Sequence, residues 1–312
     1  MNKLLVLSPK AEKYLPVLRE RNLSGLEINA ASDPEEAGPF IADANIILGV
    51  PTMVAGLLSD AGRLEWIQST YAGVEALCKP DLRTDYLLTG VKGVFHVLMS
   101  EYVMAYILAM ERHLFETRQN QFEKIWKDIP YRSLEGLIVG ICGLGSIGQH
   151  IAKVASCFGM RVRGFKRSPG SVPNVEKVYT PPALKNFLAE LDYLVITLPL
   201  TSETEHLFNT NVLRMMKPSA VLMNIGRGPI VVEADLIKAL NDGTIGGAVL
   251  DVFDSEPLGK DSPFWDTPNV IISPHNAGVS VPGDVAEIFC NNYRRFLDKR
   301  PLKYMVDFEK GY

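Results

Sequence analysis

GLIVGICGLGSIGQHIA, residues 136–152, decides how this chain is read. LIVGIC is apolar throughout, as a strand buried on both faces must be, and QHIAKVASCFG continues as a helix. Between them stand Gly143, Leu144, Gly145, Ser146, Ile147 and Gly148. At this spacing the first glycine permits a tight turn and the second lets the backbone approach a pyrophosphate. The third allows close packing of helix on strand. The following helix N-terminus offers unpaired amides and positive potential to phosphate groups. The same glycines would also serve a turn used only for packing. The strand before them and the helix after them favour the dinucleotide.

The next strand, MRVRGF (160–165), should deliver an acid to the adenosine ribose of NAD. It delivers Lys166, Arg167 and Ser168 instead. Two cations and a hydroxyl suit a 2′-phosphate better than a bare diol. This favours NADP(H), with NAD(H) tolerated, over a turn whose side chains only meet water. Arg163 alternates with the apolar residues of its strand, which places it on an exposed face.

Further strands are expected at DYLVITL (192–198), AVLMNIG (220–226), GGAVLDV (246–252) and NVIISP (269–274), with helices near 182–190, 209–215 and 233–242. Such apolar strands separated by helices predict a doubly wound parallel sheet. Upstream, KLLVLSP (3–9), NIILG (45–49), LEWIQS (64–69) and YLLTG (86–90) read as short strands, with a helix from Glu12 to about Arg21. They indicate a smaller α/β domain. From Met99, Val103, Ile107, Met110 and Leu114 recur at helical spacing, and the helix is expected to run to about Gln119. It suits a helix shared between domains, buried in a dimer, or packed on the following sheet. A closing helix follows Pro282.

The 312 residues are long enough for two domains, and 47% apolar with 22% charged residues is ordinary for a globular chain. A net charge of −4 gives no attraction to nucleic acid or an acidic membrane. The N-terminal apolar run is too short for a signal peptide, so a cytoplasmic protein is expected. Four cysteines without paired spacing argue against a disulfide framework or thiolate zinc site, and no metal is expected.

Five separated segments, GICGLGSIGQHIA (140–152), LPLTSETEHLF (198–208), NIGRG (224–228), LDVFDSEPL (250–258) and SPHNAG (273–278), resemble the D-isomer-specific 2-hydroxyacid dehydrogenases in order and content. The basic turn at 166–168 is similar to that of the family's NADP(H)-preferring glyoxylate/hydroxypyruvate reductases. The resemblance implies a cofactor domain (99–283) inserted in a smaller flavodoxin-like substrate domain (1–98 and 284–312), in a homodimer. It also implies reduction of a small 2-oxoacid to the D-2-hydroxyacid. Pro199, Asp251, His275, Ala277 and Gly278 join the glycine turn as cofactor contacts, with Asp251 near the nicotinamide carboxamide. TYAGVEAL (70–77) resembles the substrate loop, in which Gly73 and Val74 would offer backbone N–H groups to a carboxylate.

The chemistry selects residues independently. Reducing a 2-oxoacid needs a proton donor for the carbonyl oxygen and a cation for the carboxylate. His275 ends a strand at the edge where open α/β sheets bind ligands, and histidine is the usual general acid. His96, His113, His150 and His206 have no evident acidic partner and read as packing or surface residues. Glu256 could hold the imidazole's other N–H and stabilise the charged ring, or could cap the following turn or face solvent. The resemblance assigns it to His275. Arg227 presents a planar fork that matches the edge of a 2-oxoacid, although it could instead neutralise a strand terminus. Gly226 and Gly228 beside it read as leaving room for ligand. Asp254 reads as structural or exposed, and Tyr71, Phe95, Trp126 and Trp265 as candidate pocket lining. Two other readings remain open: an NAD-linked dehydrogenase of a larger D-hydroxyacid, and a non-enzymatic nucleotide-sensing regulator on the same fold.

Overall fold

Strands made of consecutive Val, Ile and Leu have no polar face to show water, so each needs cover on both sides. The chain meets that need twice. The computed structural model describes residues 1–311, which divide into unit 1 (1–94 and the segment from 280 onward) and unit 2 (95–279). The chain therefore passes between units about four residues before each expected crossing. The reason lies in the helices that start there. His96–Glu111 belongs whole to unit 2, and Pro282–Leu297 belongs whole to unit 1.

In unit 1 the order is β1 (Asn2–Leu7), α1 (Ala11–Glu20), β2 (Leu26–Ala31), α2 (Pro34–Ile41), β3 (Ile46–Gly49), α3 (Pro51–Ala55), β4 (Trp66–Ser69) and β5 (Leu87–Thr89). The strands form a parallel sheet in the order β2-β1-β3-β4-β5, the flavodoxin-like arrangement. β2 and α2 are not announced by the sequence. β2 is an edge strand whose Glu27 faces water, so its apolar signal is weak.

Unit 2 begins with α4 (His96–Glu111) and α5 (Leu114–Phe122). These are two helices where one is expected. His113 between them takes φ 51°, in the left-handed region, and its Nε2 lies 3.1 Å from the carbonyl of Pro130. α5 turns away from the core and buries no residue, so Leu114 is exposed, whereas Val103 and Ile107 are fully buried. Then come β6 (Ile138–Cys142), α6 (Ser146–Cys157), β7 (Arg161–Phe165), β8 (Lys177–Tyr179), α7 (Leu184–Leu188), β9 (Tyr193–Ile196), α8 (Thr210–Leu213), β10 (Val221–Asn224), α9 (Glu233–Asn241), β11 (Gly247–Leu250) and β12 (Val270–Ile272). The sheet is parallel in the order β12-β11-β10-β9-β6-β7-β8. Counting from β6, this is the doubly wound dinucleotide-binding order, with its switch point between β6 and β9.

Arg163 corrects the expectation for β7. It is buried, because β7 lies inside the sheet between β6 and β8, and its guanidinium pairs with Glu190 at the rim. The three-residue edge strand β8 is another element the sequence does not announce.

The chain ends in unit 1 with α10 (Pro282–Leu297). Its apolar face stacks Phe289 on Trp66, with centroids 5.1 Å apart, and brings Phe296 to 5.6 Å. Buried Asn292 donates to Gln68 Oε1 and the Lys303 carbonyl, and accepts the Lys303 N–H. These bonds tie α10 and the segment after it to β4.

Candidate active site

The residues selected from the sequence of unit 2 follow the C-terminal ends of β6, β7, β9, β10, β11 and β12. Because all these strands are parallel, they share one edge of the sheet. Gly143 leaves β6 at φ 106°, and a Cβ there would lie 2.8 Å from Thr197 Oγ1. That hydroxyl donates to the Gly143 carbonyl at 2.7 Å, clasping the turn to the end of β9. A Cβ on Gly148 would fall 1.9 Å from the Gly143 carbonyl oxygen, so α6 can enter this close only as glycine. Gly145 differs: a Cβ there meets nothing within 4 Å, and no side chain caps α6. Open space beside bare helix-terminal amides is what a pyrophosphate requires, so the turn fits a dinucleotide. Leu144 is buried against Gly164, while Ser146 is exposed and Ile147 half-buried.

Lys166, half-buried, and exposed Arg167 and Ser168 follow β7. Arg167 Nη2 donates to Glu203 Oε2 at 2.7 Å. The basic turn is thus faced by an acid from the segment after β9. That segment is closed by Thr204, whose Oγ1 donates to the Pro199 carbonyl at 2.7 Å.

At the other end of the sheet, His275 Nδ1 lies 2.7 Å from Glu256 Oε2, and Glu256 Oε1 accepts the Phe253 N–H at 3.0 Å. Glu256 thus pairs with the imidazole and caps the turn before it, not the one that follows. With Nδ1–H donated to the carboxylate, Nε2 is the nitrogen left for substrate, on a ring half exposed to solvent. His275 itself takes φ 50°, and its N–H reaches the Asp251 carbonyl at 2.9 Å. The Asp251 side chain is buried. It accepts from Ser273 Oγ, before the histidine, and from the N–H groups of Asn276 and Ala277, which follow it.

Arg227 follows β10, with its Nη1 donating to the Gly226 carbonyl at 2.7 Å. Asn224 shapes this turn by accepting the Gly226 N–H and donating to the Arg227 carbonyl. The neighbouring glycines have a different reason from the expected one. A Cβ on Gly226 would lie 2.9 Å from the Leu198 carbonyl oxygen, and one on Gly228 would lie 2.0 Å from the Phe253 carbonyl carbon. They admit neighbouring backbone, not ligand.

Of the remaining histidines, His206 is exposed. His150 Nδ1 lies 2.7 Å from Ser100 Oγ, and its ring meets His96 edge-on at 4.6 Å. Exposed Asp254 receives support from Glu233, whose Oε1 accepts its N–H at 2.9 Å. Among the candidate aromatics, Phe95 is buried beside Gly278, Tyr71 is partly exposed, and Trp126 is fully exposed. Exposed Trp265 ties its indole N–H to the Gly259 carbonyl. In unit 1, Gly73 and Val74 precede the 3-10 turn Glu75–Leu77. Their loop is fixed by Ser69 Oγ, which accepts the Tyr71 N–H and donates to the Tyr71 carbonyl. Among the described residues no group of three potential ligands could hold a metal, and no helix is long and apolar enough to cross a membrane.

Residues 104–277 match the model of the D-isomer specific 2-hydroxyacid dehydrogenase NAD binding domain. The chain belongs to this dehydrogenase family. It is 30% identical to glyoxylate/hydroxypyruvate reductase A of Photorhabdus laumondii subsp. laumondii over 263 residues, covering 82% of this chain and 84% of that protein. A D-isomer specific 2-hydroxyacid dehydrogenase family protein from Aeromonas salmonicida superimposes with a TM-score of 0.96 at 45% identity, over 98% of this chain and 99% of that one. The NADPH-dependent glyoxylate/hydroxypyruvate reductase from Sinorhizobium meliloti, solved with NADP and sulfate, gives 0.90 at 30% identity over the whole of both chains. This D-2-hydroxyacid dehydrogenase family member is an NAD(P)-dependent oxidoreductase of small 2-oxoacids.

Thr197, Asn224 and Ser273 escape the sequence reading of this dehydrogenase. Their signal is slight: a short polar residue at or just past the end of an apolar strand. The glycines allow a direct test. Gly148→Ala should lower stability by about 1–3 kcal/mol in urea unfolding, because backbone must move. Gly145→Ala should leave stability within about 0.5 kcal/mol and weaken NADPH binding about tenfold or more, a loss of at least ~1.4 kcal/mol. Equal stabilities for the two variants, or native NADPH affinity in Gly145→Ala, would contradict this account of the turn.

Proposed function

We propose that the protein reduces glyoxylate, hydroxypyruvate or a similarly small 2-oxoacid to the D-2-hydroxyacid, with NADPH as its preferred donor. The observation that carries this reading is the 2.7 Å His275–Glu256 pair on the sheet edge that also holds Arg227 and the glycine turn. The nicotinamide, when bound, supplies the hydride that adds to C2 of the oxoacid. His275 gives the carbonyl oxygen its proton from Nε2, while Glu256 keeps the ring in one orientation and stabilises its charge. Arg227 pairs with the carboxylate and the carbonyl oxygen, matching negative charge as it develops. Oxidation of the hydroxyacid runs the same steps backwards, with neutral His275 as base.

Lys166, Arg167 and Ser168 support NADPH, as does the NADP-bound Sinorhizobium meliloti relative. Glu203 moderates that preference, since it already engages Arg167 and a 2′-phosphate must share or displace it. NADH is therefore accepted more weakly, not refused. Lining Pro199, Asp251, Ala277 and Gly278 along the same edge completes the proposed cofactor contacts.

A homodimer belongs to the same proposal. Leu114, Phe115, Phe122 and Trp126 are all exposed on or just after a helix that buries none of its residues. A cluster of large apolar side chains on one segment is costly in water unless another surface covers it, and a second copy supplies one symmetrically.

Two measurements follow. Calorimetric titration should find NADPH bound more tightly than NADH. Lys166→Asp with Arg167→Ala should cost NADPH about tenfold or more, one charge-assisted phosphate contact at roughly 1.5–3 kcal/mol, with little change for NADH. Equal affinities that the double variant leaves in the same ratio would refute the preference. Light scattering should give a particle of twice the 34.5 kDa chain mass. Phe122→Asp should shift it toward the monomer, and a native enzyme that is monomeric at micromolar concentration would refute the dimer.

A further inference from the structure

α4 starts beside the first crossing between units, and its Phe95 cap residue, Met99 and Tyr102 recur at i, i+4 and i+7, the spacing of one helical face. All three meet the segment that carries His275. A Cβ on Gly278 would stand 3.0 Å from Met99 Cγ and 3.5 Å from Phe95 Cδ1, so the bare glycine lets the segment lie against the helix. Three residues further along α4, the Tyr102 hydroxyl lies 2.5 Å from Ser273 Oγ. Ser273 Oγ in turn lies 2.6 Å from Asp251 Oδ1.

The direction of this chain follows from counting protons. The two Asp251 oxygens face the N–H groups of Asn276, at 2.8 Å, and Ala277, at 2.9 Å, together with the Ser273 hydroxyl. A carboxylate so placed only accepts. Ser273 therefore spends its proton on Asp251, and Tyr102 must donate to Ser273. Burial pushes the Tyr102 phenol well above its ordinary range, so the hydroxyl keeps the proton it donates.

We infer that Tyr102 is a positioning residue for the reaction, fixing His275 through Ser273 and Asp251. This inference rests on the reading of His275 as proton donor. His275 holds a left-handed backbone, which a residue with a side chain keeps only when its surroundings impose it. Asp251 imposes it from both sides: its carbonyl takes the His275 N–H, and its carboxylate takes the two N–H groups that follow. Tyr102 fixes the Ser273 rotamer and anchors the carboxylate to a long helix. The orientation of Nε2 is thereby set by α4 as well as by Glu256.

The test is steady-state reduction of glyoxylate by NADPH in Tyr102→Phe, Ser273→Ala and the double variant. Tyr102→Phe should lower kcat about 3- to 10-fold, the worth of one hydrogen bond. KM and NADPH affinity should stay within about twofold, because neither Tyr102 nor Ser273 is placed against substrate or cofactor. The solvent deuterium isotope effect on kcat should rise as misaligned proton transfer becomes limiting. The double variant should be no slower than Ser273→Ala, since both changes break one chain. Native kcat in Tyr102→Phe, a lower melting temperature with an unchanged isotope effect, or losses that simply multiply would each overturn the role. His275→Gln separates this from the underlying reading. If that variant turns over at the native rate, the proton donor is misassigned; if it is inactive while Tyr102→Phe is native, only the Tyr102 role fails.

Discussion

A carboxylate buried at the end of β11 is the constraint on which the catalytic edge depends. A lone buried carboxylate costs several kcal/mol, and Asp251 avoids that cost by collecting donors from one segment, residues 273–277. The segment has no regular structure of its own, so the buried charge specifies its shape. His275 sits in the middle of it, in a backbone conformation that would otherwise relax. What reads from the sequence as a nicotinamide contact is, in the folded chain, first the organiser of the histidine's loop.

The rest of the edge is built on close backbone approach. Gly143 against Thr197, Gly148 against Gly143, Gly226 against Leu198 and Gly228 against Phe253 leave no room for a Cβ. Gly148 joins α6 to the turn after β6 and the other three join the ends of neighbouring strands, so the loops that carry Arg227 and Glu256 are braced by main chain rather than by mobile side chains. Such bracing suits chemistry that tolerates little displacement of the reacting groups. Gly145 is the deliberate gap in this packing, open on the side where a phosphate would lie. The Arg167–Glu203 pair is of another kind, exposed and therefore weak, and it adds little to the shape of the edge.

Much of this was legible in the amino-acid order, for identifiable reasons. Interior parallel strands read clearly because both faces are apolar, and the glycine turn read clearly because its spacing sits between such a strand and a helix. His275 and Glu256 were selected because each follows a strand at the ligand-binding edge. β2 and β8 were not legible, since edge strand β2 carries polar residues and β8 is only three residues long. The break at His113 was hidden by periodicity that continues past it. Arg163 misled because alternation marks an exposed face only where one exists, and a doubly covered sheet has none. Tyr102 could not have been found at all: its role depends on Ser273, which is 171 residues away in the chain.

The central claim is that Glu256-held His275 delivers the proton during oxoacid reduction. Single-turnover hydride transfer from bound NADPH in Glu256→Gln tests it most directly, because the substitution keeps the shape of the side chain and removes its charge. The account predicts a step slowed by about 10²- to 10⁴-fold, as when a catalytic imidazole loses its orienting carboxylate, with NADPH affinity unchanged. Hydride transfer at the native rate in that variant would contradict it.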